Sequence, residues 1–271
     1  MSEQIGFLGL GLLGTPMAAN LLDAGYRLRV WNRTASKADQ LVARGAVRVD
    51  APADVATRGG IVVSCLWDGA SVGEVVRGGL GGGLIERLGA GGMHISMATI
   101  SPEASRELAE QHRAAGVAYV EAPVFGRPEA AAAKQLQICV AGADADKARA
   151  KPILVAVGGN GIFDFGERFG SALVCKLAGN FMIGAMAASM SEAIAVSRAE
   201  QVDPRLVVDM LTSTLFATPL FQRYGKMFVD GMSFSRSRIP DKDLGLLHDA
   251  AVACGTTAPV ASFLRDHFRT K

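Results

Sequence analysis

Gln4-Ile5-Gly6-Phe7-Leu8-Gly9-Leu10-Gly11-Leu12-Leu13-Gly14 is the stretch that decides the fold. Gln4–Leu8 reads as a short buried strand, and Leu12–Ala24 places Leu13, Met17, Leu21 and Leu22 at helical spacing. Between them lie three glycines in the order Gly9-x-Gly11-x-x-Gly14. Gly9 permits a tight turn, Gly11 lets a pyrophosphate approach the backbone, and Gly14 lets the helix pack closely on the strand. Leu12 and Leu13 open the helix, where free N–H groups face the phosphates of a ligand. Arg27–Trp31 supplies the second strand of a β-α-β unit. In that setting the glycines predict a dinucleotide site.

The same alternation continues outward. Ile61–Leu66, Met93–Ser96, Ala118–Val120 and Gln137–Val140 read as further strands. Ser36–Ala43 and Pro102–Ala115 read as helices, and Gly78–Gly83 as a loop. Strands alternating with helices predict an α/β fold with a doubly wound parallel sheet. The texture changes after Phe165. Ser171–Gln201 is one long helical pattern rich in Ala and Met, apolar on nearly every face, which predicts burial among other helices. Asp203–Thr212, Pro219–Phe228 and Asp243–Ala253 follow as helices. The expected division is a dinucleotide-binding domain over residues 1–163 and a smaller all-helical domain over 164–271.

Composition narrows the function classes. Of 271 residues, 49% are apolar and 20% charged, as in a globular chain able to bury a core. The 28 basic and 26 acidic residues leave a net charge of +2, so nothing favours nucleic acid or a membrane surface as partner. Glycine is abundant at 32 residues, in keeping with many strand–helix turns. Cys65, Cys139, Cys175 and Cys254 are widely spaced, and no histidine stands at ligand spacing from them, so reduced thiols are expected and no metal site. The charge-free run Leu177–Ser191 is shorter than a membrane span needs, and no signal pattern precedes Gln4. The expectation is a soluble cytoplasmic protein.

The end of the second strand bears on the choice of dinucleotide. A carboxylate there bonds the ribose hydroxyls of NAD and repels a 2′-phosphate. This chain has Asn32-Arg33-Thr34 instead. Asn32 offers an amide to a sugar oxygen, Arg33 a guanidinium to a phosphate and Thr34 a hydroxyl, which predicts NADP(H) rather than NAD(H).

These residues also carry a resemblance. Gly6-Phe7-Leu8-Gly9-Leu10-Gly11 through Pro16-Met17-Ala18-Ala19-Asn20-Leu21 resembles the β-hydroxyacid dehydrogenase family. That family includes 3-hydroxyisobutyrate dehydrogenase, tartronate semialdehyde reductase and the NADPH-dependent glyoxylate/succinic semialdehyde reductases. Val30-Trp31-Asn32-Arg33-Thr34 is most similar to the last group. Ala98-Thr99-Ile100-Ser101-Pro102, Glu121-Ala122-Pro123-Val124, Lys176 with Asn180, and Lys242-Asp243-Leu244-Gly245-Leu246 extend the likeness along nearly the whole chain.

The resemblance implies a Rossmann domain followed by a helical domain, with substrate taken in the cleft between them. It makes Lys176 the catalytic lysine and sets Asn180 one helical turn later on the same face. An ammonium beside a carbonyl oxygen stabilises the alkoxide that hydride delivery creates, and donates its proton. Thr99 and Lys242 match positions at the nicotinamide end of the cofactor, Leu66 a position lining the cofactor cleft, and Asp243 a position at the substrate. The implied reaction is reduction of a small aldehyde or keto acid to the hydroxy acid, or the reverse. A homodimer or homotetramer is implied too, with Ala178–Met190 a candidate contact.

Some positions depart from the family's pattern. After Ala122-Pro123-Val124 relatives continue with Ser-Gly-Gly or Ser-Gly-Ser, whose donors hold a substrate carboxylate; here Phe125-Gly126-Arg127 stands. Arg127 either turns inward to replace the lost donors or points to solvent. Before the lysine, Gly170-Ser171-Ala172 has lost the second glycine of a GxG, and the chain ends at Lys271, where relatives continue through a further helix and tail. Two other readings remain: an imine reductase-like enzyme, which the presence of Lys176 opposes, and a non-catalytic dinucleotide-binding assembly module.

Overall fold

The computed structural model describes residues 3–78, 83–231 and 239–269. The loop expected over Gly78–Gly83 falls mostly on residues 79–82, outside the described residues. The chain forms two compact units, Met1–Lys176 and Leu177–Lys271.

The first unit begins with β1 (Gln4–Leu8), α1 (Gly14–Asp23) and β2 (Arg27–Trp31). A 3-10 turn, Ala35–Ala38, runs into α2 (Asp39–Val42), where one continuous helix was expected, and the short β3 (Val47–Arg48) follows. Next come β4 (Ile61–Ser64), α3 (Gly69–Arg77), α4 (Leu84–Leu88), β5 (Met93–Ser96), α5 (Pro102–Ala114) and β6 (Ala118–Glu121). The six strands form one parallel sheet in the order β3-β2-β1-β4-β5-β6. Ile5, Phe7, Val62, Val63 and Ile95 are fully buried, as strands covered on both faces require. Met17, Ala18 and Leu21 press the apolar stripe of α1 onto that sheet. Ser101 starts α5 by accepting the N–H of Ala104 at 3.0 Å, with Pro102 in the first turn.

After β6 the chain departs from the expected pattern. β7 (Val124–Phe125), α6 (Pro128–Ala132), β8 (Leu136–Val140), α7 (Asp144–Ala156) and β9 (Gly159–Asp164) follow. The expected strand Gln137–Val140 does not extend the parallel series. It is the centre of a second sheet, β7-β8-β9, antiparallel to β7 and parallel to β9. A single antiparallel bridge between Glu121 and Ala141 links β6 to the end of β8.

The second unit holds most of α8 (Ser171–Ala199), then α9 (Pro204–Ser213), α10 (Pro219–Val229), α11 (Ile239–Ala253) and α12 (Pro259–Arg269). Met186, Met190 and Ile194 of α8 pack with Val208, Tyr224 and Phe228, and Ala188 with Leu244, Ala261 and Leu264. α8 stops because Gln201 turns left-handed (φ 58°), the N–H of Val202 bonding back to Ser197 and that of Gln201 to Arg198. The helix is not enclosed on every side, contrary to expectation: Val174, Met182 and Val196 are exposed. By length and composition alone α8 qualifies as a membrane span, although 44% of its most apolar window is buried inside the protein.

Candidate active site

The glycine loop between β1 and α1 has the shape its sequence demands. Gly9 has φ +92°, and a Cβ there would stand 2.3 Å from the carbonyl oxygen of Cys65. A Cβ on Gly14 would stand 1.9 Å from the carbonyl of Gly9, so no side chain fits at the helix start. At Gly11 a Cβ would meet nothing within 4 Å, leaving room for a ligand against the backbone. The residue before the first turn of α1, Leu13, gives no side-chain cap, and Leu12 is exposed. The helix start therefore presents backbone donors to an anion.

The end of β2 lies beside this loop. Gly9, Gly11, Arg33, Thr34, Lys37 and Leu66 share a cleft of about 290 Å³, with Trp67 and Glu74 on its α3 side. Arg33 and Thr34 are exposed in it. Asn32 lines the same cleft, and its side chain also serves the fold. Its Oδ1 accepts the N–H of Leu10 at 2.9 Å and its Nδ2 donates to the carbonyl of Thr34 at 2.9 Å, which ties the glycine loop to the strand end. Lys37 escaped the sequence reading. A cation four residues beyond Arg33, on the turn that follows the strand, was the available signal. Cys65 and Leu66 follow β4 and Thr99 follows β5, so these positions collect at the carboxyl edge of the parallel sheet. Burial pushes the Cys65 thiol up to about 12, which disfavours the thiolate.

Lys176 lies in the second turn of α8 and is 8% exposed. Its Nζ stands 4.1 Å from the ring centre of Phe125, at the end of β7. Phe125, Cys139, Ala141, Ala172 and Cys175 form one apolar cluster, with the two thiols 3.8 Å apart. A charge in such surroundings loses hydration, and an aromatic face returns part of that loss. Arg127 is not part of this group. Its side chain is 44% exposed, and its Nε lies 3.6 Å from Oε2 of Glu129 on the adjoining α6. Gly126 between them is exposed too.

In the helical unit, Asn180 donates from Nδ2 to Oδ2 of Asp243, and Nζ of Lys242 lies 2.6 Å from Oδ1 of the same carboxylate. Asp243 is 3% exposed. The carboxylate thus orients the Asn180 amide by a hydrogen bond at Oδ2 and pairs in charge with Lys242 at Oδ1, a buried oxygen that closes no hydrogen bond. Among the described residues no group of His, Cys, Asp or Glu is arranged to hold a metal ion.

Two family profiles match the chain. Residues 4–166 match the NAD binding domain of 6-phosphogluconate dehydrogenase, and residues 170–271 the profile described as NAD-binding of NADP-dependent 3-hydroxyisobutyrate dehydrogenase. The chain belongs to the β-hydroxyacid dehydrogenase family. It is an oxidoreductase of the 3-hydroxyisobutyrate dehydrogenase type, with an NAD(P)-binding Rossmann domain followed by a helical domain. It is 36% identical to an uncharacterized oxidoreductase of Bacillus subtilis, over 98% of this chain and 93% of that protein. Identity to 3-hydroxyisobutyrate dehydrogenase of Pseudomonas aeruginosa is 31% (98% and 91% of the two chains). Identity to glyoxylate/succinic semialdehyde reductase 2 of Arabidopsis thaliana is 30% (98% and 74%). Among solved structures, 3-hydroxyisobutyrate dehydrogenase of Salmonella typhimurium superposes with a TM-score of 0.86 at 25% identity, over 99% of this chain and 94% of that one. A reductive aminase of Aspergillus terreus, in complex with NADPH and ethyl levulinate, reaches 0.68 at 25% identity (100% and 93%).

Proposed function

We propose that this chain is a cytoplasmic NADP(H)-dependent reductase of small carbonyl compounds, with semialdehydes and glyoxylate the first candidates. The observation that carries the reading is Lys176, a buried ammonium on the helix that also bears Asn180 one turn later. Residues 1–163 are assigned to the cofactor and 164–271 to substrate and assembly, as a homodimer or homotetramer. The exposed apolar side of α8 is the proposed contact between copies.

The residues present fit a dinucleotide. Gly11 leaves the backbone open, α1 presents its N-terminus, and Arg33, Thr34 and Lys37 stand exposed where a 2′-phosphate needs cations and a hydroxyl. A bound nicotinamide supplies the hydride. Lys176 polarises the carbonyl, stabilises the oxyanion as it forms and gives it a proton, then recovers a proton from water. Asn180 adds an amide donor whose orientation Asp243 fixes. Thr99 and Lys242 are assigned to the nicotinamide end.

NADPH oxidation tested against glyoxylate, succinic semialdehyde, methylmalonate semialdehyde, tartronate semialdehyde and a cyclic imine decides the matter. Turnover of an aldehyde acid is expected. The likeness to the reductive aminase supports a second reading, and turnover of the imine alone would establish it. No turnover with any compound would favour a dinucleotide-binding assembly module.

A further inference from the structure

Glu121 is the last residue of β6 and only 1% exposed. Its Oε1 accepts the hydroxyl of Ser105 on α5 at 2.5 Å and the N–H of Gly170, immediately before α8. The amides of Ala172 and Leu173, in the first turn of α8, are directed at the same carboxylate. Its second oxygen, Oε2, is buried without closing a full hydrogen bond. A carboxylate fixed in a strand therefore stands at the N-terminus of a helix whose first residue lies fifty positions further along the chain.

The contact involves the free amides that every helix start leaves unsatisfied, and an anion is the partner the positive end of a helix favours. Burying a carboxylate is nevertheless costly, and burial pushes Glu121 above the usual carboxylate range. A local serine or aspartate would cap the same amides more cheaply. What a local cap cannot do is tie the helix start to the sheet. Glu121 is held by the β5–β6 ladder and by Ser105, so its hydrogen bond from Gly170, with the amides of Ala172 and Leu173 facing the same carboxylate, sets the first turn of α8 relative to the strands. Lys176 follows one turn later, and Phe125, which faces its ammonium, lies four residues beyond Glu121.

We infer that Glu121 is a positioning residue for Lys176: through the first turn of α8 it fixes where the ammonium stands. The inference rests on the proposed role of Lys176 as proton donor, and it gives Glu121, 1% exposed, no direct part in binding cofactor or substrate.

The test is a double-mutant cycle on the full chain: Glu121→Gln, Glu121→Ala, Lys176→Ala and the paired variants. Turnover is normalised to sites that bind NADPH, so partial unfolding does not count as lost catalysis. Glu121→Gln keeps the size and one acceptor oxygen, which provides a folded variant should Glu121→Ala not fold. Amide exchange over residues 170–176 is measured in parallel. Expected are at least a tenfold loss in kcat for Glu121→Ala, a smaller loss for Glu121→Gln, unchanged KM for NADPH and faster exchange confined to the first turn of α8. In the Lys176→Ala background the Glu121 substitutions should cost less than twofold, because the residue they misplace is gone. Equal losses in both backgrounds, or unchanged exchange at 170–176, overturn the positioning role and leave the lysine mechanism standing. Full activity of Lys176→Ala overturns the lysine mechanism and the role of Glu121 with it.

Discussion

The ammonium of Lys176 lies over the face of Phe125, 4.1 Å from the ring centre, while Arg127 two residues later turns away to Glu129. The charged residue of the Phe125-Gly126-Arg127 loop is thus at the surface and its aromatic residue is at the lysine. An aromatic face near a cation contributes roughly 0.5–2 kcal/mol, more where water is excluded. It offers no hydrogen bond to a carboxylate.

Arg127→Ala should therefore leave KM within twofold, because an exposed ion pair at 3.6 Å contributes little. Phe125→Ser should lower KM for an aldehyde acid relative to its methyl ester, by exchanging an apolar ring for a hydroxyl and free volume. Paired kinetics on the acid and the ester check both. A tenfold rise in KM for the acid in Arg127→Ala would mean that the guanidinium swings inward during turnover.

Cofactor choice is the second expectation. Arg33→Ala should weaken NADPH by roughly 1.5–3 kcal/mol, the scale of a hydrogen bond to a charged group, and leave NADH nearly unchanged. Lys37→Ala should act in the same direction and fall short of additivity with Arg33→Ala, since both line one cleft. Fluorescence titration with each cofactor measures this. Equal losses for NADPH and NADH would show that neither cation reads the 2′-phosphate.

The legible parts of the molecule are those in which neighbouring residues settle the outcome. β1, β2 and β5 have the bounds expected of them, and the Gly9–Gly14 loop lies between β1 and α1 as its spacing requires. β9 could not be read, because Gly159-Asn160-Gly161-Ile162-Phe163-Asp164 has no fully buried residue and owes its strand form to pairing with β8. β7 is two residues long and exists only through the same partner. Pro152 and a weakly amphipathic pattern concealed α7. At the site, Phe125 and Arg127 were singled out by type, but their orientations depend on α8 and α6. Glu121 was visible within Glu121-Ala122-Pro123-Val124, yet no local pattern connects it to an amide at Gly170.

Lys176→Ala should lower kcat by at least about a hundredfold, since general acid catalysis contributes on the order of 10²–10⁴. Cofactor affinity should stay within a few-fold, the lost interaction belonging to the transition state. Single-turnover NADPH oxidation with a binding titration separates the two. A variant of near wild-type activity would remove the lysine from the mechanism.

The last expectation concerns stability against pH and a buried chain of hydrogen bonds beneath the parallel sheet. Nδ1 of His112 donates to the carbonyl of Leu108 at 2.6 Å, so its Nε2 is an acceptor in the neutral ring. Nδ1 of His94 donates to that Nε2 at 2.9 Å, and the hydroxyl of Ser64 donates to Nε2 of His94 at 2.8 Å. The chain requires a neutral His112, because a second proton on that ring would set N–H against N–H, whereas a proton on His94 would only reverse its bond with the Ser64 hydroxyl. Burial holds His94 well below its ordinary range and lowers His112 to about 4. Each folded value lies below that of the unfolded chain, so this contribution is complete above about pH 6.5 and is lost as pH falls toward 4. From pH 7 to pH 5, His112 alone should cost about 2 kcal/mol of stability. Glu121, raised by burial, acts in the opposite sense as pH falls, so the informative quantity is the difference between wild type and His112→Gln. The chain's two tryptophans, Trp31 and Trp67, both lie in the first unit, so their fluorescence in urea reports the unit that holds the histidines. His112→Gln should be less stable at pH 7 and lose less stability on acidification to pH 5. A pH dependence as steep as that of the wild type would show that His112 does not set it.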